Sequence, residues 1–280
     1  MPAYLSRRDT ILSAGLLIAG TALAPAHAAM SRADIADDAN RFKVYARVRG
    51  GAKVATALWW ISGIIYAKIK GDVAKPLFRV LGASQNTITM RADGGLSQTM
   101  EEAGYFADLN TGAIMARWTN PITGAPSTPE PYKMKSMQAI AKDGTVERPN
   151  APFPITAYGG IGAATVNGDT VWIEENFSAR VGLLSPSVEG RKPEVIAGQF
   201  RVIDSLATFQ ARVDDVMLGD DQFVPATLAF IETDPWFPWM NMGATDGLQL
   251  WQLKGRKLRN ADELPPDLRA RLKADYPDFI

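Results

Sequence analysis

The chain contains few of the side chains that enzymes most often use for chemistry. Among its 280 residues there is no cysteine, and His27 is the single histidine. His27 lies in an Ala-His-Ala tripeptide after an apolar segment, which is typical of a signal-peptidase cleavage site. Cleavage there would leave neither an imidazole nor a thiol. This excludes Ser-His-Asp and Cys-His catalysis and the usual zinc, haem, iron–sulfur and blue-copper ligands, so we expect no cofactor and no metal ion.

Acid–base chemistry would therefore fall to carboxylates, phenols and lysines. Glu174 and Glu175 follow the apolar residues 171–173, and neighbours on a strand point to opposite faces, so one of the two could face a pocket. Burial in such a pocket would raise the pKa of that carboxyl and make it a base; the alternative is a solvent-facing pair at a strand end. Asp234 could lie at a pocket rim or cap a turn. Tyr66 could be a proton donor or a structural tyrosine.

The most unusual composition is DPWFPWMNMG at residues 234–243, here called the aromatic segment. Its two prolines stiffen the chain, and Trp236, Trp239 and Met240 could line a pocket for an apolar or aromatic ligand. Alternatively, the segment is a core plug that closes one end of a barrel. Other tryptophans could join the same pocket from neighbouring strands, namely Trp59, Trp60 and Trp118.

Two cationic side chains lie just before the predicted C-terminal helix. Arg256 and Lys257 could bind a ligand carboxylate or phosphate. Alternatively, they neutralise nearby carboxylates such as Asp262 and Glu263. The chain as a whole has 30 Lys and Arg against 30 Asp and Glu. This balance gives no electrostatic indication of nucleic-acid or anionic-membrane binding, so the expected partner is a small molecule.

Residues 1–28 are typical of an export signal. SRRD at residues 6–9 precedes an apolar run over residues 11–23 and the cleavage site. The paired arginines resemble the twin-arginine signal of bacteria. Because the apolar run is short and glycine-rich, a transmembrane anchor is the weaker alternative. We expect recognition by the twin-arginine machinery, a periplasmic or secreted location, and one β-rich domain over residues 29–280.

The remaining sequence predicts mostly strands. The period-two alternation over residues 42–48 is typical of a half-buried strand. Residues 54–70 predict one long strand with a bend at Gly63, and Asn167-Gly168 is the strongest hairpin signal. Further strands are predicted over residues 86–91, 98–107, 113–118, 133–141, 200–209 and 227–233, and a helix over residues 268–275.

Roughly ten strands with closely spaced turns and no long linker predict a mainly β, single-domain fold. We expect an antiparallel β-barrel or strongly curved sheet of the calycin or lipocalin kind with a C-terminal helix. Two packed sheets remain the alternative. Barrels of about eight strands typically hold one small ligand.

Four segments carry a resemblance to a known family. They are PWFPWMNMG at residues 235–243, GRKL at 255–258, WWISG at 59–63 and WTNP at 118–121. Together they resemble an uncharacterised family of bacteria and fungi known as domain of unknown function 1838. The resemblance implies a single-domain exported protein, without a reaction or catalytic residues. Other members often carry a histidine within their strands, which this chain lacks.

Two functions follow as hypotheses. The first is an exported barrel that binds a hydrophobic or aromatic small molecule between the tryptophans. The second is a cofactor-independent lyase, isomerase or cyclase that uses a carboxylate or tyrosine as its proton shuttle. A tryptophan-lined pocket holding a carboxylate or tyrosine with a strongly shifted pKa would favour the enzyme. Solid packing without a cavity would count against both.

Overall fold

An antiparallel sheet of ten strands forms the body of the molecule. The computed structural model describes residues 30–51, 56–147, 155–184, 195–219 and 222–280; the expected export signal, with His27, lies outside them. The helices are α1 Arg32–Ala36, α2 Arg41–Arg49, α3 Val213–Met217 and α4 Pro266–Asp275. The strands are β1 Ala57–Ile69, β2 Lys75–Met90, β3 Leu96–Ala107, β4 Trp118–Thr119, β5 Pro126–Ser127, β6 Tyr132–Ile140, β7 Ile155–Ile161, β8 Thr165–Asn167, β9 Thr170–Leu184, β10 Val195–Arg212, β11 Ala226–Asp234 and β12 Gly247–Leu258.

The sheet curls into a nearly closed barrel. Its strand order is β6-β3-β2-β1-β12-β11-β10-β9-β7, with β8 added to β9, while β4 and β5 form a separate pair. A short bridging segment after β6 joins the two ends of this order. Val146 pairs with Ile140 at the end of β6, and Thr145 pairs with Gly160 of β7. The predicted antiparallel barrel is therefore confirmed.

Strand β1 shows how the sequence sets the inner face of this barrel. Buried side chains recur at every second position, as at Trp59 and Ile61, which is the pattern of a strand with one face in the core. Gly63 lies opposite Leu253 of β12. A Cβ at Gly63 would come within 2.1 Å of the Gln252 carbonyl oxygen, so this close approach requires glycine.

Helix α2 packs against the inner face of the barrel, and the strand predicted over residues 42–48 is wrong. Phe42, Val44, Tyr45 and Val48 are all buried in the main core. Because neighbouring elements cover α2 on more than one side, its apolar residues occur at both helical and alternating positions. The alternation in the sequence therefore arises from broad burial of the helix rather than from an extended chain.

Helix α4 covers part of the outer face of the barrel, which confirms the helix predicted over residues 268–275. Leu268 and Leu272 are buried in a second core cluster with Tyr105 and Leu258. Most predicted strands are also confirmed, including the hairpin at Asn167-Gly168. A second exception, after residues 42–48, is the strand predicted over residues 113–118, where the chain makes an isolated bridge at Ile114 and then the short β4.

Candidate functional site

One end of the barrel carries a cluster of aromatic rings centred on Trp239. Its ring centroid lies 5.0 Å from Phe106, 5.3 Å from Phe78 and 5.5 Å from Trp118. Phe237 stacks on Trp239 at 5.7 Å with an interplanar angle of 16°. Such offset and edge-on arrangements are favourable beyond simple burial. The aromatic segment thus packs onto rings from β2, β3 and β4.

Asn120 holds this cluster together. Its side chain is fully buried, and Nδ2 donates to the Met240 carbonyl oxygen at 2.7 Å and to the Met242 sulfur at 3.0 Å. Oδ1 accepts from the backbone N–H groups of Ile122 at 2.8 Å and Thr123 at 3.2 Å. Asn120 therefore connects the WTNP loop directly to the aromatic segment, and two of the distinctive sequence segments form one unit.

A surface groove of about 460 Å³ lies beside this aromatic cluster. Trp118 lines the groove and also contacts Trp239 within the cluster. The other lining residues come from the start of β2 and the loop before β4, and they include Leu77, Ile114, Met115, Asp108 and Arg117. The groove combines apolar walls with one acidic and one basic side chain, as small-molecule sites commonly do.

The six predicted ligand-contacting apolar residues do not form one pocket. Trp59 is buried near α2, where its ring lies 5.5 Å from Phe209. Trp60 packs against the outer cluster under α4. The remaining four belong to the aromatic end: Trp118 and Trp239 in contact, Met240 fully buried, and Trp236 donating from Nε1 to the Thr245 carbonyl oxygen at 3.1 Å.

The second site lies inside the barrel, where β9 faces α2. Glu175 points inward while Glu174 is exposed on the outer face. The Glu175 carboxylate lies 3.1 Å from Nη1 of Arg49 and accepts a hydrogen bond of 2.7 Å from the Tyr45 hydroxyl. Burial raises the pKa of Tyr45 well above its usual range, and the Glu175 charge adds to this against the opposing effect of Arg49. Tyr45 is therefore a protonated donor.

Gln98 completes this α2 network of four side chains. Its amide nitrogen donates to the Tyr45 hydroxyl at 2.7 Å, and its amide oxygen accepts from Nε and Nη2 of Arg49 at 3.0 and 2.9 Å. The Arg49 guanidinium also lies 4.7 Å from the ring centre of Phe209. The network ties α2 to two separate strands, β3 and β9. A buried charge requires this degree of pairing.

Lys257 fastens the end of the same helix. Its side chain projects inward from β12 and is 6% exposed, and Nζ donates to the carbonyl oxygens of Arg47 at 2.7 Å and Gly50 at 2.9 Å. Burial, together with the positive charge of Arg47, lowers the pKa of Lys257 to about 7. The amine is thus close to losing its proton at neutral pH.

The other predicted site residues lie apart from the α2 network. Asp234 is 1% exposed and accepts hydrogen bonds from Arg201, one of them 2.8 Å long, from Nε to Oδ1. Arg256 donates to the Glu263 carbonyl oxygen at 2.9 Å and forms an ion pair with its carboxylate at 3.6 Å. Tyr66 is half-buried and paired in register with Leu250. Roles for these residues in ligand binding or catalysis stay predictions.

The sequence singled out Glu175 but missed its partners Tyr45, Arg49 and Gln98. Tyr45 and Arg49 are four residues apart, the spacing that places two side chains on one face of a helix. An interpretation of residues 41–49 as a helix would have shown a phenol and a guanidinium on one face. Gln98 carries no comparable sequence signal.

Clusters of metal-ligating side chains and membrane-spanning helices are both absent from the part of the chain that is described. Within it, no three His, Cys, Asp or Glu side chains come together as a possible metal site. No helix of the described residues has both the length and the apolar character needed to span a bilayer.

These features define an antiparallel β-barrel protein with a helix packed inside it and a buried aromatic cluster at one end. The chain belongs to the family described as Protein of unknown function (DUF1838), whose profile matches residues 53–129 and 199–280. The family resemblance of the sequence is thereby confirmed. No curated protein matches the chain. Among solved structures, a mutant of the Rh. blastica porin matches 73% of this chain and 99% of its own, with 7% identity and a TM-score of 0.18.

Proposed function

We propose that this protein binds an apolar or aromatic small molecule at the aromatic end of the barrel. The observation that carries the proposal is the groove of about 460 Å³ beside Trp118. This volume lies in the range of small-molecule sites, about 300–1,000 Å³. A flat ligand in the groove would stack on Trp118 and extend the row of rings that includes Trp239 and Phe78.

The groove also supplies polar ends for orienting a ligand. Asp108 and Arg117 both line it. The Asp108 carboxylate accepts hydrogen bonds from the Thr111 backbone N–H at 2.8 Å, the Thr111 hydroxyl at 3.0 Å and the Asn110 backbone N–H at 3.0 Å. These hydrogen bonds lower the pKa of Asp108. A ligand would therefore meet a fixed anion at one side of an apolar surface. Because the groove opens at the surface, entry needs no movement of α2.

The test combines ligand recovery with fluorescence. Mass spectrometry of protein purified from its native compartment should identify a bound apolar compound, and that compound should quench tryptophan fluorescence. Ile114→Asp, at a groove position that is 36% exposed, should weaken binding at least about tenfold without disturbing the core. Trp172→Ala is the matched control, because Trp172 lies on β9 away from the groove. Recovery of nothing, with no quenching by a panel of apolar compounds, would refute the proposal.

We also propose that the protein is exported to the periplasm or beyond by the twin-arginine pathway. The support is the SRRD sequence at residues 6–9, the apolar run and the Ala-His-Ala site. Replacing both Arg7 and Arg8 by lysine should retain the precursor in the cytoplasm, which cell fractionation measures. Export of the doubly substituted chain at the wild-type level would contradict the proposal.

A second candidate function is proton-transfer catalysis inside the barrel, as in a cofactor-independent lyase, isomerase or cyclase. The observation that favours it is the 2.7 Å hydrogen bond between the Tyr45 hydroxyl and the inward Glu175 carboxylate. A recovered ligand allows a direct test, since solvent deuterium would be incorporated into it by the wild type. Tyr45→Phe should abolish this incorporation while leaving ligand binding in place. Incorporation that persists in Tyr45→Phe, or is missing in the wild type, would refute this function.

A further inference from the structure

The inner side of β2, β3 and β6 is polar where a barrel core is usually apolar. The strand registers align three rows of inward residues: Ser84, Glu102 and Met134; Asn86, Met100 and Ser136; and Ile88, Gln98 and Gln138. The first residue of these rows, Ser84, lies opposite the inward Trp59. Six of the nine side chains are polar, and we call this surface the polar wall. Buried polar side chains need partners, so their concentration here requires an explanation.

Two acceptors of the polar wall lack donors. Asn86 is 2% exposed, and its Nδ2 donates to Ser84 Oγ at 3.0 Å. Its Oδ1 is buried and accepts no hydrogen bond from any described residue. The same holds for Oε1 of Gln138 within the described part of the chain. Amide oxygens in such positions remain costly until a donor reaches them.

The neighbouring cations are already engaged. Arg49 is bound by Glu175 and Gln98 and lies 3.2 Å from the Met100 sulfur. Lys257 donates to the two carbonyl oxygens at the end of α2. The polar wall therefore contains hydrogen-bond acceptors without donors, and a ligand with N–H groups would supply those donors.

The inward residues of the polar wall are least buried along β6. The inward residues Met134, Ser136 and Gln138 are half-buried, whereas Asn86 on β2 is almost fully buried. Among the described residues, β6 is joined to the far end of the sheet through the bridges at Thr145 and Val146. The polar wall thus begins at the barrel seam and continues into the interior.

We infer that the polar wall binds an N–H-donating group of the carboxamide or amine class, which enters along β6 and donates to Asn86 Oδ1 and Gln138 Oε1. Met100 and Met134 provide adaptable apolar contacts beside these acceptors. The site is separate from the groove at Trp118, and the inference does not rest on that groove being occupied.

The experiment titrates the full chain with benzamide and with methyl benzoate, which has a similar size but no N–H group. Nitrogen-15 NMR follows the side-chain amide signals during each titration. Benzamide should shift the signals of Asn86 and Gln138, and methyl benzoate should leave them unchanged. Asn86→Leu, close to the same shape, should weaken benzamide binding at least about tenfold, because the site then lacks a principal acceptor. Asn86→Asp, which retains acceptor oxygens, should bind benzamide. Gln252→Leu on the exposed outer face of β12 is the matched control.

Several outcomes would overturn the inference. They are equal affinity for the two probes, unchanged benzamide binding in Asn86→Leu, and a crystal structure with benzamide in which only ordered water contacts Asn86. If Asn86→Leu does not fold, Gln138→Leu at its half-buried position gives the same readout. Benzamide binding that is lost in Ile114→Asp but retained in Asn86→Leu would place the probe in the groove and refute the polar wall, leaving the proposed function intact.

Discussion

At the scale of single residues, Lys257 couples the structure to pH. The folded chain releases the Lys257 proton near pH 7, because burial lowers its pKa to about 7 from 10.5. The unfolded chain retains this proton up to about pH 10.4. Between these values the unfolded state binds more protons, so this group makes the free energy of unfolding rise with pH. The stabilisation from Lys257 is complete above the pKa that this residue has in the unfolded chain. It is lost as the pH falls to about 7, the pKa of Lys257 in the folded chain.

Lys257→Met is expected to remove this pH dependence. In wild type, the Lys257 contribution should amount to about 1.4 kcal/mol per pH unit between pH 7 and pH 10. Urea unfolding at pH 6, 7, 8 and 9 measures it as the difference between wild type and variant. Lys254→Met, at an exposed position of the same strand, serves as control. Parallel pH profiles for wild type and Lys257→Met would contradict the prediction.

The Arg49–Glu175 ion pair predicts a second residue-scale effect. Arg49→Met should lower the free energy of unfolding by about 3–5 kcal/mol, because it leaves the inward Glu175 carboxylate without its cation. Adding Glu175→Gln should recover part of this loss, since the unpaired charge is then gone. Denaturant unfolding of the two single variants and the double variant gives the coupling free energy between Arg49 and Glu175. Arg180→Met on the exposed face of β9 is the control, and a loss as large there would argue against a specific role for Arg49.

At the scale of elements, the sequence predicted the strands well and the helix inside the barrel badly. Strand β1 was predictable because residues 57–69 form a long run of β-branched and aromatic residues. Helix α2 was not, since Phe42, Val44 and Tyr45 are all buried. Missing helix α2 also limited the prediction of the site residues. Glu175 could be inferred from alternation on β9, whereas Arg49 contacts it only after the chain has folded.

The aromatic segment gives an element-scale prediction. Asn120→Ala removes two hydrogen bonds that connect the WTNP loop with the aromatic segment and two that hold the loop itself. We expect a loss of about 2–4 kcal/mol in the free energy of unfolding and faster proteolysis within residues 235–243. Asn110→Ala in the exposed turn before β4 is the matched control. Unchanged proteolysis in Asn120→Ala would show that the rings alone hold the segment.

At the scale of the whole molecule, closure of the barrel depends on a short bridge. A Cβ at Gly160 would come within 1.9 Å of the Gly144 carbonyl oxygen, and Gly160 has a φ of 151°. Gly160→Ala should therefore open the seam and accelerate amide hydrogen exchange in β6 and β7. Gly162→Ala, where the nearest atom lies at 3.8 Å, is the control. Equal exchange rates in the two variants would mean that the bridge does not hold the barrel closed.

The position of α2 also determines when the protein can fold. Lys257 contacts the carbonyl oxygen of Arg47 across a sequence separation of 210 residues. During synthesis, α2 leaves the ribosome long before β12 exists, so its final contacts form only when the chain is almost complete. Contacts of such high order slow folding. A helix made early is thus fully secured only late, and a chain that ends before β12 lacks the two hydrogen bonds by which Lys257 holds the end of α2.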